Sequence, residues 1–262
     1  MNEESLEFTE SKLKTFMTQL KRSFVIAKKD LHIYYNKPPV LIQGILFPII
    51  LFIALTIGRD VQPIYVISGL MTMIIFLTST SIGPIVFPWE TARKTFERLI
   101  TCPISVKTIL LGSVWSTFIY GITFSSIPLI IGMIFLSTEL SINLVIVISG
   151  MIIAGLAFAC FSLILSVPST DTPGNTMIFT VLIKFPLVFM SPLFMPIILS
   201  PIAYISPLTY FLDIVNIGLG DTSAFGTFGL LFDIGILLAF GFGFLFLAFV
   251  LHEKTLERRF QG

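Results

Sequence analysis

"WETARKTFERLITCPISVK", residues 89–107, stands between two long apolar runs and carries two acids, Glu90 and Glu97, and four bases, Arg93, Lys94, Arg98 and Lys107. Its surroundings make it unusual. Only 12% of the 262 residues are charged, 55% are hydrophobic, and 27 are Phe. A water-soluble chain of this length keeps roughly a quarter of its residues charged. In water this one would expose apolar patches large enough to drive aggregation. Lipid as the solvent resolves the conflict, and segment 89–107 becomes a place where the chain returns to water.

Roughly 20 apolar residues cross a bilayer as a helix. Six runs qualify: 40–58, 63–87, 108–136, 142–167, 176–199 and 225–251. The fold class that follows is an all-α polytopic membrane protein with six transmembrane helices. Residues 1–39 form a cytoplasmic amphipathic segment, 40–251 the membrane domain, and 252–262 a tail. The opening 37 residues are polar and charged with no small-residue cleavage pattern, so no cleavable signal peptide is expected. Neither an internal repeat nor a low-complexity linker stands out, which favours one domain.

The bases orient the bundle. Lys12, Lys14, Lys21, Arg22, Lys28, Lys29 and Lys37 precede the first run. Arg93, Lys94, Arg98 and Lys107 lie between the second and third, and Lys254, Arg258 and Arg259 follow the sixth. With six crossings all of these fall on one side, which the positive-inside rule makes cytoplasmic. Arg59, beside Asp60, falls outside, and Lys184 falls within a run.

Upstream of the first run, Leu13, Phe16, Met17, Leu20, Phe24, Ala27, Leu31, Tyr34 and Tyr35 recur at three- and four-residue steps, which places them on one helical face. Lysines fill much of the other side. Such a helix suits the headgroup plane, with its bases near anionic lipid; a cytosolic helix packed on a partner protein is the alternative. The "NKPP" at 36–39 ends it, since proline removes a donor and disfavours helix at the residue before it.

The far end of the fifth run is irregular. Pro186, Pro192, Pro196, Pro201 and Pro207 are too dense for one regular helix. Residues 202–219 are nonetheless too apolar for a solvated loop, so one or two short helices dipping into or lying on the outer face are expected. Irregular backbone at membrane depth must be buried in protein or line a wet cavity; a passive cap over the bundle is the other reading.

Two charges lie deep. Lys184 is about nine residues, or ~13 Å, in from the cytoplasmic end of its run. Asp233 is about eight residues in from the outer end of the sixth. An isolated charge at bilayer centre costs about 2.5–3.5 kcal/mol or more, and an ion pair between Lys184 and Asp233 would relieve both. A snorkelling lysine and an aspartate reaching outer water are the alternatives.

Recognisable chemistry is sparse. The chain has no G-x-x-x-x-G-K-[ST] phosphate loop, no H-E-x-x-H pair and no G-x-S-x-G elbow. Cys102, Cys160, His32 and His252 have no metal-ligand spacing. No catalytic set and no metal site are expected, and a net charge of +1 gives no footprint for nucleic acid.

Within 89–107, Trp89, Ala92, Phe96, Leu99 and Ile100 share one helical side. Glu90, Arg93, Lys94, Glu97 and Arg98 take the remainder, with Glu90 and Lys94 as an i,i+4 pair. Pro88 suits a helix start, and Pro103 a helix end. The spacing predicts a short amphipathic helix over 89–101, either a connector between two crossings or a docking element.

The order "ERLITCPISVKTILLGSV", with Glu97, Leu99, Pro103 and Gly112, and with Glu90 upstream, resembles the cytoplasmic loop of type-2 ATP-binding cassette permeases. Lys94-Thr95 stands where that family commonly has Gly-Thr. A second likeness lies in "FPLVFMSPLFMPIILSPIAYISPLTYFLDIVNIGLGD". Its Pro192 and Pro196 match a proline-bearing fifth span, and Pro207, Tyr210 and Asp213 match a Pro-x-x-Tyr segment followed by an acid. The resemblance covers nearly the whole chain.

It implies an export permease for a drug, antibiotic, lipid or lipid-linked glycan, paired as a homodimer or with a similar subunit. ATP-Mg would sit on a separate ATPase subunit and no cofactor on this chain. The 89–101 helix would couple the two. Phe96, Leu99 and Ile100 would seat in an ATPase groove, with Glu90, Arg93, Glu97 and Arg98 at its rim and Pro103 ending the helix. A secondary transporter or channel would instead show inverted repeats or paired intramembrane charges. A membrane enzyme would need the catalytic sets that are missing.

Overall fold

The computed structural model describes residues 3–34, 37–58, 61–93, 95, 98, 101, 104–135, 142–167, 173–193 and 201–261. Among these every regular element is helical: α1 (Glu3–Tyr34), α2 (Pro38–Leu41), a π-helical turn (Ile42–Leu46), α3 (Phe47–Thr56), α4 (Pro63–Ser79), α5 (Gly83–Ala92), α6 (Val106–Phe135), α7 (Leu144–Leu165), α8 (Pro173–Met190), a 3-10 turn (Ala203–Ile205), α9 (Pro207–Leu219) and α10 (Gly229–Gln261).

Four stretches among the described residues are long and apolar enough to cross a membrane: Pro63–Thr91, Val106–Ile134, Leu144–Leu165 and Gly229–Thr255. They match four of the six apolar runs. The runs at 40–58 and 176–199 appear as the shorter apolar helices Gly44–Ala54 and Ile178–Met190. The first lies within a consecutive helical stretch, α2, the π-helical turn and α3, in which Gly44 lies against Thr78 and Tyr120. In the second, residues 194–200 lie outside the described set.

The α4–α5 stretch is the axis of the bundle, with 94% of its apolar window buried inside the protein. It packs along α6 and meets α7 and α9, while α10 lies along α7 on the periphery. Helix α10 is only 11% buried over its window and shows Phe242 and Phe246 outward, as a lipid-facing helix should. The axis is broken once, at Thr80–Ile82. Around the break, hydroxyls bond to helix carbonyls: Thr78 Oγ1 donates to Ile74 O at 2.5 Å, Thr80 Oγ1 to Phe76 O at 2.6 Å alongside the Thr80 N–H, and Ser81 Oγ to Leu77 O. Such back-bonding bends helices. Gly83 resumes the helix so close to α7 that a Cβ there would lie 2.9 Å from the Ser162 carbonyl.

Helix α1 packs on α6, and only part of its apolar face is buried there. Ser23, Ile26, Ala27, Asp30 and Tyr34 face the protein, whereas Met17 and Phe24 are 51% and 45% exposed. Gly112 admits this approach: a Cβ there would lie 2.6 Å from Ile26 Cγ2. The apolar positions thus divide into a protein-facing edge and an outward edge. Spacing alone merges the two, because both recur at helical steps.

Candidate coupling site at the basic end of the bundle

Helix α5 delivers the segment of interest. It runs through Pro88 to Ala92, so Trp89 and Glu90 occupy its last turn and do not open a new helix. The expected start at Pro88 is therefore corrected: Ile85, Val86 and Phe87 are buried, and packing of that apolar stretch outweighs the local proline signal. Beyond the turn at Arg93, Thr95 and Arg98 are helical. Thr95 Oγ1 donates to Glu90 O at 3.1 Å, and Thr101 Oγ1 to Arg98 O at 2.8 Å. Arg93 and Arg98 are exposed. Lys94, Phe96, Glu97, Leu99, Ile100 and Pro103 lie outside the described residues.

Glu90 is not at a rim. It is 3% exposed and accepts from Lys29 Nζ of α1. Lys29 also lies 3.0 Å from Asp30 Oδ1. One ammonium thus serves two buried carboxylates on different helices, and α1 is locked to the base of α5. Burial alone would weaken the lysine's charge, but Asp30 and Glu90 outweigh it and hold Lys29 above its ordinary range. Around this lock, the Trp89 ring lies 5.1 Å from the Arg93 guanidinium and 5.8 Å from Lys37 Nζ. Helix α6 joins the same cluster. Ser105 Oγ accepts the Thr108 N–H at 3.2 Å as a cap, and Thr108 Oγ1 donates to Gln19 Oε1 of α1 at 2.7 Å. The Lys107–Glu253 pair, 3.2 Å and exposed on both sides, adds little.

The lock was not legible from spacing, because its partners are 61 residues apart. One signal was present: Asp30 shares a helical face with Ala27 and Tyr34, and an acid on an apolar face needs a partner. Asp30 also supplies a pH test. Burial, offset in part by Lys29 and reinforced by Glu90, pushes its carboxyl up from 3.8 to about 7. Between those values the folded chain keeps a proton that the unfolded chain has shed, so stability falls as pH rises through this window and levels off above it. The groups around it are Lys29 and Tyr34 on α1 and Glu90 and Arg93 on α5. Asp30→Asn should flatten thermal-unfolding temperatures between about pH 4 and pH 7. An unchanged slope would assign the dependence to other groups.

The proline-rich segment is resolved differently from a surface cap. Pro207 opens α9 at its first turn, and nearly all of α9 is buried against α4, α7 and α10. Tyr210 donates to Tyr204 O at 2.8 Å and stacks on Phe225 with ring centroids 5.7 Å apart. Asp213 accepts from Ser223 Oγ at 2.7 Å and from Ala224 N at 3.0 Å, which fastens the α9–α10 turn. Pro192 follows α8; Pro196 lies outside the described residues.

The pairing of Lys184 with Asp233 is corrected. Both are buried, at 2% and 0% exposure, but no ion pair among the described residues joins them, and neither Asp233 oxygen has a hydrogen-bond partner. The charged neighbour of Asp233 is Asp213. The direction around the helix axis, which decides partners, was not legible from spacing.

Comparison with known proteins accords with this arrangement. The sequence profile of the ABC-2 type transporter family matches residues 16–219, from within α1 to the end of α9. No curated protein matches the chain. Members of this family are membrane components of transporters that work with an ATPase subunit, and are not themselves catalysts. With its four long apolar helices, its buried α4–α5 axis and a profile match over most of its length, the chain is an integral membrane protein that belongs to the ABC-2 type transporter family.

Proposed function

We propose that this chain is the permease half of an ATP-driven exporter. It crosses the cell membrane six times with both termini in the cytoplasm, and it pairs with a second copy or a similar subunit to form the pathway. A separate ATPase subunit carries the ATP-Mg. The observation that supports this most directly is the continuity of the charged segment with the axis of the bundle. Trp89 and Glu90, which open the charged segment, form the last turn of α5, so movement imposed there enters that helix directly and passes toward α4, the most enclosed element of the fold. The fourteen bases at one end support the orientation.

Glu90 holds α1 against α5 and so sets the base from which the docking helix projects. Docking falls to Phe96, Leu99 and Ile100, with Arg93, Glu97 and Arg98 around them. The spans are rich in Phe, Leu, Ile and Met, which suits an apolar or amphipathic cargo.

The test is co-purification with an ATPase subunit, followed by ATPase and transport assays in proteoliposomes. Stimulated ATP hydrolysis and ATP-dependent export are expected. Transport without ATP, or a chain that purifies with no nucleotide-binding partner, would return the reading to a secondary transporter.

A further inference from the structure

Helices α6 and α10 both pack on α7, and a groove of about 320 Å³ remains between them. Its floor is made by small residues, Ala157 of α7 and Gly241 of α10, and its walls by large ones, Leu111 and Trp115 of α6 and Phe242 of α10 among others. No charged side chain and no hydroxyl lines it. Water finds no set of polar partners there and gains nothing by entering. Phe242 faces outward, and the α4–α5 axis lends the groove no side chain, so it opens toward lipid.

Its length and its surroundings narrow what fits. Along α10 the lining runs from Leu237 to Leu245, about 12 Å at the helical rise. The hydrocarbon of one leaflet is about 15 Å thick. Along α6 the lining starts at Leu111, one turn above Lys107. The Lys107 side chain is 63% exposed and lies 3.2 Å from Glu253 of α10, so this pair bridges the two helices below the groove. On the α6 wall the Trp115 ring stacks on Phe24 of α1 with centroids 5.0 Å apart. Lys21 and Lys28, both exposed, lie one turn to either side of Phe24. A dry slot of about one leaflet's depth thus has exposed lysines from two helices beside it, all at the basic end of the bundle.

We propose that the groove holds an acyl chain of an anionic phospholipid from the leaflet at the basic end, with the headgroup on Lys107 and the exposed lysines of α1. The apolar lining takes the chain, and the lysines complement the phosphate. Glu253 does not exclude the headgroup. Its pair with Lys107 is exposed on both sides and weak, and an ammonium has three donors, which leaves some for phosphate oxygens. An occupied groove extends the contact between α10 and α6 upward from the Lys107–Glu253 pair. Through Trp115 and Phe24 it also bears on α1, the helix that Lys29 locks to α5.

The experiment places the full chain in phosphatidylcholine vesicles that carry a minor fraction of brominated phosphatidylglycerol or, in parallel, brominated phosphatidylcholine. Bromine on an acyl chain quenches tryptophan fluorescence on contact. The chain has two tryptophans, and Trp115→Phe identifies the Trp115 share of the signal. Trp115 should be quenched with a preference of at least about fivefold for the anionic lipid, the contribution of one lysine near the surface. The preference should fade at high salt. Lys107→Gln, a change at an exposed side chain, should lower it by about fivefold, and Glu253→Gln should raise it. Gly241→Leu should abolish it by filling the groove: a Cβ there would lie 3.4 Å from Ala157 Cβ, at van der Waals contact, and leucine favours helix over glycine. Equal quenching by the two lipids would mean ordinary boundary lipid, and no quenching by either would mean that a helix of another chain covers the groove. An unchanged preference in Lys107→Gln or Gly241→Leu would place the lipid elsewhere. Each of these overturns the assignment. The readout is binding alone, so failure here leaves the exporter reading standing, and failure of that reading leaves this site standing.

Discussion

Lys29→Met should lower the stability of the folded chain by about 3 kcal/mol, the low end of the range for removing one partner of a buried ion pair. The low end applies because the Lys29 side chain is 29% exposed while Glu90 and Asp30 are enclosed. The loss arises from two carboxylates left in a poorly solvated place without a cation, and it should show as a lower unfolding temperature and a smaller monodisperse fraction after extraction. Removing one of those carboxylates should undo part of it: Lys29→Met with Glu90→Gln is expected to be more stable than the sum of the two single losses. Strictly additive losses would mean that the two side chains do not act on each other.

Leu99→Asp should have the largest functional effect. If Leu99 seats in an ATPase groove, truncating it loses about 1.5–3 kcal/mol of apolar burial, and an unpaired carboxylate in its place adds a desolvation cost. Together these weaken docking by about a hundredfold or more, at 1.4 kcal/mol per factor of ten. The expected result is ATP hydrolysis that no longer drives export, with membrane insertion unaltered. Glu97→Lys and Arg98→Glu, at the rim, should act through association rate and salt dependence and cost less. Unchanged export in all three variants would make the segment a connector.

How far the sequence could be read follows from what each feature depends on. The apolar runs depend on composition over about 20 residues, and the four helical stretches that are long and apolar enough to cross a membrane lie where those runs predict. The second run is divided at Thr80–Ile82, and nothing in "TSTSIGPIVFP" distinguishes a break from an end until Gly83 is seen against Ser162. The family was legible because its motifs lie in sequence order. Glu90 shows the opposite case. Its type and place in the chain were plain, but Lys29 reaches it only through the packing of α1 on α6, which rests on Gly112. Lys184 and Asp233 make the same point: both are buried, yet no ion pair joins them and the charged neighbour of Asp233 is Asp213.

The break at Thr80–Ile82 bears on how stiff the α4–α5 axis is. In an unbroken helix, bending frees carbonyls that then have no donor, and in lipid that is a steep penalty. Here the carbonyls of Ile74, Phe76 and Leu77 already hold hydroxyl hydrogens from Thr78, Thr80 and Ser81. These bonds turn with their own side chains and persist through a change of angle. The axis therefore behaves as a jointed rod: α5 can swing with whatever grips its lower end while α4 stays seated, and the joint rather than the lower end sets how much of an imposed displacement arrives on the far side.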